Sequence, residues 1–106
     1  MKDNYKLPWH VRQYVKKELM DYKGNKRLIQ KLSVDTRSLL LAQVRISQID
    51  RVFDRLNKED REVAEAIFID QYTQAGAETA LHISKSTYYG TMSKVIYMTA
   101  REMELI

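Results

Sequence analysis

The chain has 106 residues, enough for one modest hydrophobic core, and 44% apolar residues set it apart from a disordered chain. It has no cysteine, so no disulfide can staple it, and no run approaches the roughly 18 apolar residues of a membrane span. Net charge is +4, a mild basic bias that is unevenly spread. Residues 1–34 hold nine Lys/Arg against three Asp/Glu, residues 35–72 six against eight, and residues 73–106 three against three. The first third is therefore a basic N-terminal segment suited to an anionic partner, or else an ordinary solvated helix face. Its opening, "MKDNYKLPWH", lacks the apolar stretch of a secretory signal, so a cytoplasmic, non-membrane protein of one domain, 1–106, is expected.

One proline, three glycines and no sustained alternation predict an all-α fold of about five helices. Pro8 opens the first helix, in which Val11, Tyr14, Val15, Leu19 and Tyr22 recur at helical spacing. Trp9 reads as a core or interface anchor rather than a stacking platform. Gly24 in "KGNK" is expected to terminate this helix, with a short amphipathic piece following around Leu28, Ile29 and Leu32. From Thr36, the residues Leu39, Ala42, Ile46, Ile49, Phe53 and Leu56 form an apolar seam at spacings of three and four. The seam spans fewer than three heptads, which favours the central helix of a monomer's own core over a dimerisation helix. Val44 and Val52 are expected to widen it. Asn57 then caps a helix running to about Tyr72, with Glu59, Asp60 and Glu62 in its first turn and Val63, Ala64, Ile67 and Phe68 on its buried face.

After "TQAG" a short helix ends at Leu81, "HIS" forms a turn, and a last helix runs from Lys85 to about Glu104. A short helix, a three-residue turn and a serine-capped second helix have the layout of a helix-turn-helix, here within residues 58–104. Ser84 is the cap and Thr87 the residue it satisfies, while Ile83 plugs the turn into the core. Tyr88, Met92, Val95, Ile96, Thr99 and Met103 share the inward face of the last helix. The opposite face presents Lys85, Ser86, Tyr89, Gly90, Ser93, Lys94 and Tyr97, with no carboxylate until the end of the helix. Lysine and hydroxyl groups address base edges and phosphates, an aromatic ring touches a thymine methyl, and small residues let the helix axis come close. A glycine inside a helix costs about 1 kcal/mol relative to alanine, so Gly90 asks for a close approach by some partner. A second protein subunit would also suit Tyr89 and Tyr97.

"HISKSTYYGTMSKVIYMTAREMEL", preceded by "LNKEDREVAEAIFIDQY", resembles the C-terminal half of the RinA/ArpU family of phage late-gene transcriptional activators. That half is in turn similar to the promoter-reading C-terminal domain of bacterial sigma factors. "VKKELMDYKGNKRLI" resembles the opening of the same regulators. The resemblance implies a sequence-specific reader of double-stranded DNA in a bacterial host, from a phage or mobile element, acting on late genes through host RNA polymerase. It implies Lys85, Ser86, Tyr89, Gly90, Ser93 and Lys94 as the reading surface and Thr87 as a phosphate contact. Lys16, Lys17, Lys26 and Arg27 of the basic segment are further candidates for phosphate. Two positions depart from the pattern: Glu78 stands where such motifs carry a small residue, with Ala77 and Ala80 beside it, and His82 replaces the frequent turn glycine.

No catalytic role is expected. His10 and His82 are the only histidines, and neither a metal-ligand spacing nor a phosphate-binding glycine loop is present, so no cofactor or metal is expected. The remaining readings are a protein-interaction adaptor and a packaging-type DNA-recognition subunit. A homodimer is expected because one small helix-turn-helix reads few base pairs, with pairing through either the 39–56 seam or the Tyr97–Ile106 end.

Overall fold

The computed structural model describes residues 5–31 and 35–106. Among them it has six α-helices and one π-helical turn, without strands. Leu32 of the expected amphipathic piece lies outside the described residues.

Helix α1 spans Trp9–Met20 behind Pro8 and buries only Val15 and Leu19, four residues apart on one stripe. Trp9 is 75% exposed, so of the two anchoring roles expected for it, core or interface, the core is excluded. Gly24 does not terminate a helix either. Helix α2, Tyr22–Leu28, runs straight through it, and no glycine has a positive φ. The reason is local. Asp21 N–H still bonds to the Lys17 carbonyl at 3.0 Å and Asn25 N–H to the Asp21 carbonyl at 2.9 Å, so the helical ladder hardly breaks. The Tyr22 hydroxyl also donates to Asp50 at 2.6 Å, which fastens α2 to its neighbour, while Lys26, one turn on in α2 itself, lies over the Tyr22 ring. Burial and the hydrogen bond to Asp50 push the Tyr22 phenol well above its ordinary pKa of 10.0.

Helix α3, Thr36–Asp54, starts at Asp35, whose carboxylate accepts the Ser38 N–H at 2.9 Å. Ala42, Ile46, Ile49, Phe53 and Leu56 of the seam are buried and Leu39 is half-buried, so the seam belongs to the core of the single chain. Val52 joins them, but Val44 is 55% exposed. At 100° per residue Val44 lies some 160° around the helix from Ala42 and Ile46, whereas Val52 sits about 60° from Ile49. With Leu40 and Leu41 it forms an exposed apolar stripe on the first half of α3.

Asn57 caps α4, Lys58–Ala64, by accepting the Asp60 N–H at 2.8 Å. The expected continuation to Tyr72 is instead a π-helical turn, Glu65–Ile69, closed by Asp70 N–H to the Glu65 carbonyl at 2.8 Å. Ala66, Ile67 and Phe68 are all buried in succession. An α-helix offers one inward stripe, but this turn is packed by α1, α2 and the following helix, so three consecutive apolar residues are buried while Glu65 stays at the surface beside Arg61. Gln71, with φ 57°, stops the turn and donates from its side chain to the Met20 carbonyl at 2.8 Å.

Helices α5, Gln74–Leu81, and α6, Lys85–Glu102, complete the fold. The fully buried side chains Val15, Leu19, Ile49, Val52, Ile67, Phe68, Val95 and Ile96 join α1, α3, the π turn and α6 in one core. At ~1.5–3 kcal/mol for each fully buried side chain, this core outweighs any single propensity in the chain. No described helix is long and apolar enough to cross a membrane.

Candidate nucleic-acid interface

The first helix of the helix-turn-helix begins earlier than "TQAG" suggests. Thr73 is its N-cap, accepting the Gly76 N–H at 3.0 Å, so Gln74 to Gly76 form the first turn. A Cβ at Gly76 would lie 3.1 Å from the Thr73 hydroxyl, which makes the small residue part of the cap. Ala77 is fully buried and is the small residue that lets α5 settle on the core. Glu78 sits at the motif's edge, half-buried, and accepts from the Gln74 amide at 2.6 Å.

His82 does the work of the missing turn glycine. It adopts a left-handed conformation, φ 55° and ψ 47°, and the Ile83 N–H closes back onto the Glu78 carbonyl at 3.2 Å. A non-glycine residue there costs roughly 1–2 kcal/mol, which the half-buried Ile83, packed against the core, helps to offset. Ser84 then caps α6, its hydroxyl accepting the Thr87 N–H at 3.1 Å. Tyr88, Met92, Val95, Ile96 and Thr99 are buried as the spacing predicts, and burial pushes the Tyr88 phenol pKa up. The buried Thr99 hydroxyl is satisfied within the helix, donating to the Val95 carbonyl at 2.8 Å.

The polar face of α6 divides into two parts. Lys85, Ser86, Thr87 and Tyr89 are exposed. Gly90 is half-buried, yet no atom lies within 4 Å of where its Cβ would be. Nothing within the chain therefore requires a glycine there. Ser93, Lys94 and Tyr97, expected on the same open face, are half-buried and engaged. Arg12 of α1 donates to the Ser93 hydroxyl at 3.3 Å, Lys94 pairs with Asp60 of α4 at 2.7 Å, and Tyr97 meets Tyr5 at 5.4 Å between ring centroids. The hydrogen bond that Lys94 donates to Asp60 raises the lysine's pKa above 10.5. The face is open only over its first two turns.

Tyr89 is held from two sides. Its hydroxyl donates to the Gln74 side chain at 2.7 Å, and its ring stands edge-on to Tyr88 at 5.0 Å. Sequence reasoning found Tyr89 but missed Gln74, which is fifteen positions away. Only the Gln74–Glu78 pair, four apart, is legible as a helical neighbour.

The basic segment is less free than its composition suggests. Lys17 pairs with Asp21 at 3.2 Å, a bond that raises the lysine's pKa, and Lys26 is over the Tyr22 ring at 5.3 Å. Lys16 is half-buried, while Arg27 is exposed. Lys23, not among the expected contacts, stands 4.0 Å from Asp70.

No family model, curated protein or solved structure matches this chain. What defines it is the geometry: a small all-α domain in which a capped helix-turn-helix exposes the first two turns of its second helix.

Proposed function

We propose that the protein is a sequence-specific reader of double-stranded DNA that inserts the first two turns of α6 into the major groove. The observation that carries this reading is the exposed start of α6, where Lys85, Ser86, Thr87 and Tyr89 include no carboxylate and adjoin the open Gly90. A donor-rich, small and aromatic helix start anchored on a rigid core suits base edges and phosphates, and its serine-capped N-terminus adds the favourable end of the helix dipole. The resemblance to phage late-gene activators extends the proposal to a transcription regulator of phage or mobile-element origin that engages host RNA polymerase. A homodimer belongs to the same proposal. With the 39–56 seam buried, the exposed apolar residues that could support pairing are Leu40, Leu41 and Val44 on α3 and Leu105 and Ile106 at the C-terminal end.

Fluorescence anisotropy with labelled duplexes across a salt series tests it. Phosphate contacts give an affinity that falls linearly in log–log form, with a slope of about −0.9 per phosphate. Lys85→Ala should lower affinity and reduce discrimination between a selected and a random duplex. Binding that ignores salt, or shows no preference among duplexes, would leave the open face to a protein partner, as an adaptor requires.

A further inference from the structure

The chain of hydrogen bonds from Glu78 through Gln74 to Tyr89 fixes what Tyr89 can offer to a duplex. An ionised carboxylate only accepts, so the Gln74 amide must turn its NH2 toward Glu78, 2.6 Å away. Its carbonyl oxygen then faces Tyr89, and the phenol is obliged to be the donor in their 2.7 Å bond. The single O–H of Tyr89 is thereby spent inside the protein. What remains for a partner is the ring, 43% of the residue exposed and braced edge-on against the buried Tyr88 ring, together with the phenolic oxygen, which can now only accept.

From this geometry we infer that Tyr89 is a thymine-methyl reader and that Gln74 is its positioning residue, locked in turn by Glu78. This rests on the DNA-reading function proposed above and deepens it. An aromatic ring with no donor to give has little to exchange with the N7 and O6 acceptors of guanine. It gains most against the C5-methyl group of thymine, the one apolar feature of the major groove. Glu78, out of place as a small-residue position, has a role here: it sets the direction of the whole relay. An acidic side chain at this edge is tolerated because its charge is turned onto Gln74.

Selection of a binding site from a random duplex library, followed by replacement of each thymine in turn by deoxyuridine, tests the inference. Deoxyuridine lacks only the methyl group. At one thymine per bound α6 the wild-type protein should lose about fourfold in affinity, the effect of withdrawing one buried methyl. Tyr89→Ala should bind more weakly and no longer distinguish the two bases at that position. Gln74→Ala and Tyr89→Phe break the same bond from its two ends and should give the same intermediate sensitivity, with unchanged melting temperatures. If every thymine can be replaced without loss, or if Tyr89→Ala keeps the full sensitivity, the inference is overturned. It is also overturned if Tyr89→Phe loses selectivity while Gln74→Ala does not, since the hydroxyl would then be reading a base. A library that yields no selective duplex removes the DNA-reading function itself, whereas selective binding indifferent to the methyl removes only the role given to Tyr89.

Discussion

The two halves of α6 carry similar polar residues and meet different fates. Over the first two turns Lys85, Ser86 and Tyr89 stand out from the protein; over the rest Ser93, Lys94 and Tyr97 are claimed by Arg12, Asp60 and Tyr5. Glu102, at the far end, is gripped by Arg51 of α3 at 2.6 Å and by Arg55, the residue that follows α3, at 3.1 Å. One end of the helix is built into the fold and the other is held out from it. A polar face in sequence is thus not yet a surface: the neighbours decide which part of it stays available.

The sharpest way to break this contrast is to cut a side chain at each end. Ile96, fully buried in the built-in half, should cost ~2–5 kcal/mol of folding stability as Ile96→Ala, while Lys85→Ala should stay within ~0.5 kcal/mol of wild type. Urea denaturation measures both, and a large stability loss in Lys85→Ala would mean that the open end is also structural. Ser84→Ala removes the cap at the junction of α5 and α6, and the midpoint should fall by an amount equivalent to about 1 kcal/mol.

The Glu102 clasp should show itself in pH. Hydrogen bonds from Arg51 and then Arg55 hold the carboxyl below its ordinary value of 4.5. A carboxylate lowered on folding stabilises the protein above its unfolded pKa and loses that contribution as pH falls through the folded one. Glu102→Gln should therefore lower stability most near neutrality and converge on wild type as pH falls below about 4.5, which flattens the acid limb of the profile. An acid limb identical to wild type would mean that the exposed arginines are solvated rather than bound.

Much of this was readable from local spacing. The α3 seam, the Asn57 and Ser84 caps and the division of Tyr88 from Tyr89 follow from helical periodicity and cap chemistry, which act within a few residues. Gly24 misled because glycine permits a helix end without compelling one, and here α2 is fastened from outside by Tyr22 and Asp50. The π turn was hidden because the consecutive burial of Ala66, Ile67 and Phe68 leaves no helical period to read. Covering of the second half of the α6 face was equally out of reach: Asp60 is 34 positions from Lys94 and Arg12 is 81 from Ser93. The exposure of the open half was legible because its one tie to another helix, Gln74 to Tyr89, leaves the face uncovered.

Gly90 offers the most direct measurement. The free protein has room for a methyl group at this position, so Gly90→Ala should raise folding stability by about 0.5–1 kcal/mol. If DNA approaches the helix backbone there, the same methyl must be accommodated in a close-packed interface, and overpacking of ~1–3 kcal/mol translates to roughly tenfold weaker binding or more. Anisotropy titration of wild type and Gly90→Ala against one selected duplex at fixed salt should thus show a more stable protein that binds more weakly. A variant that is more stable and binds that duplex as tightly as wild type would contradict the approach of DNA to the start of α6.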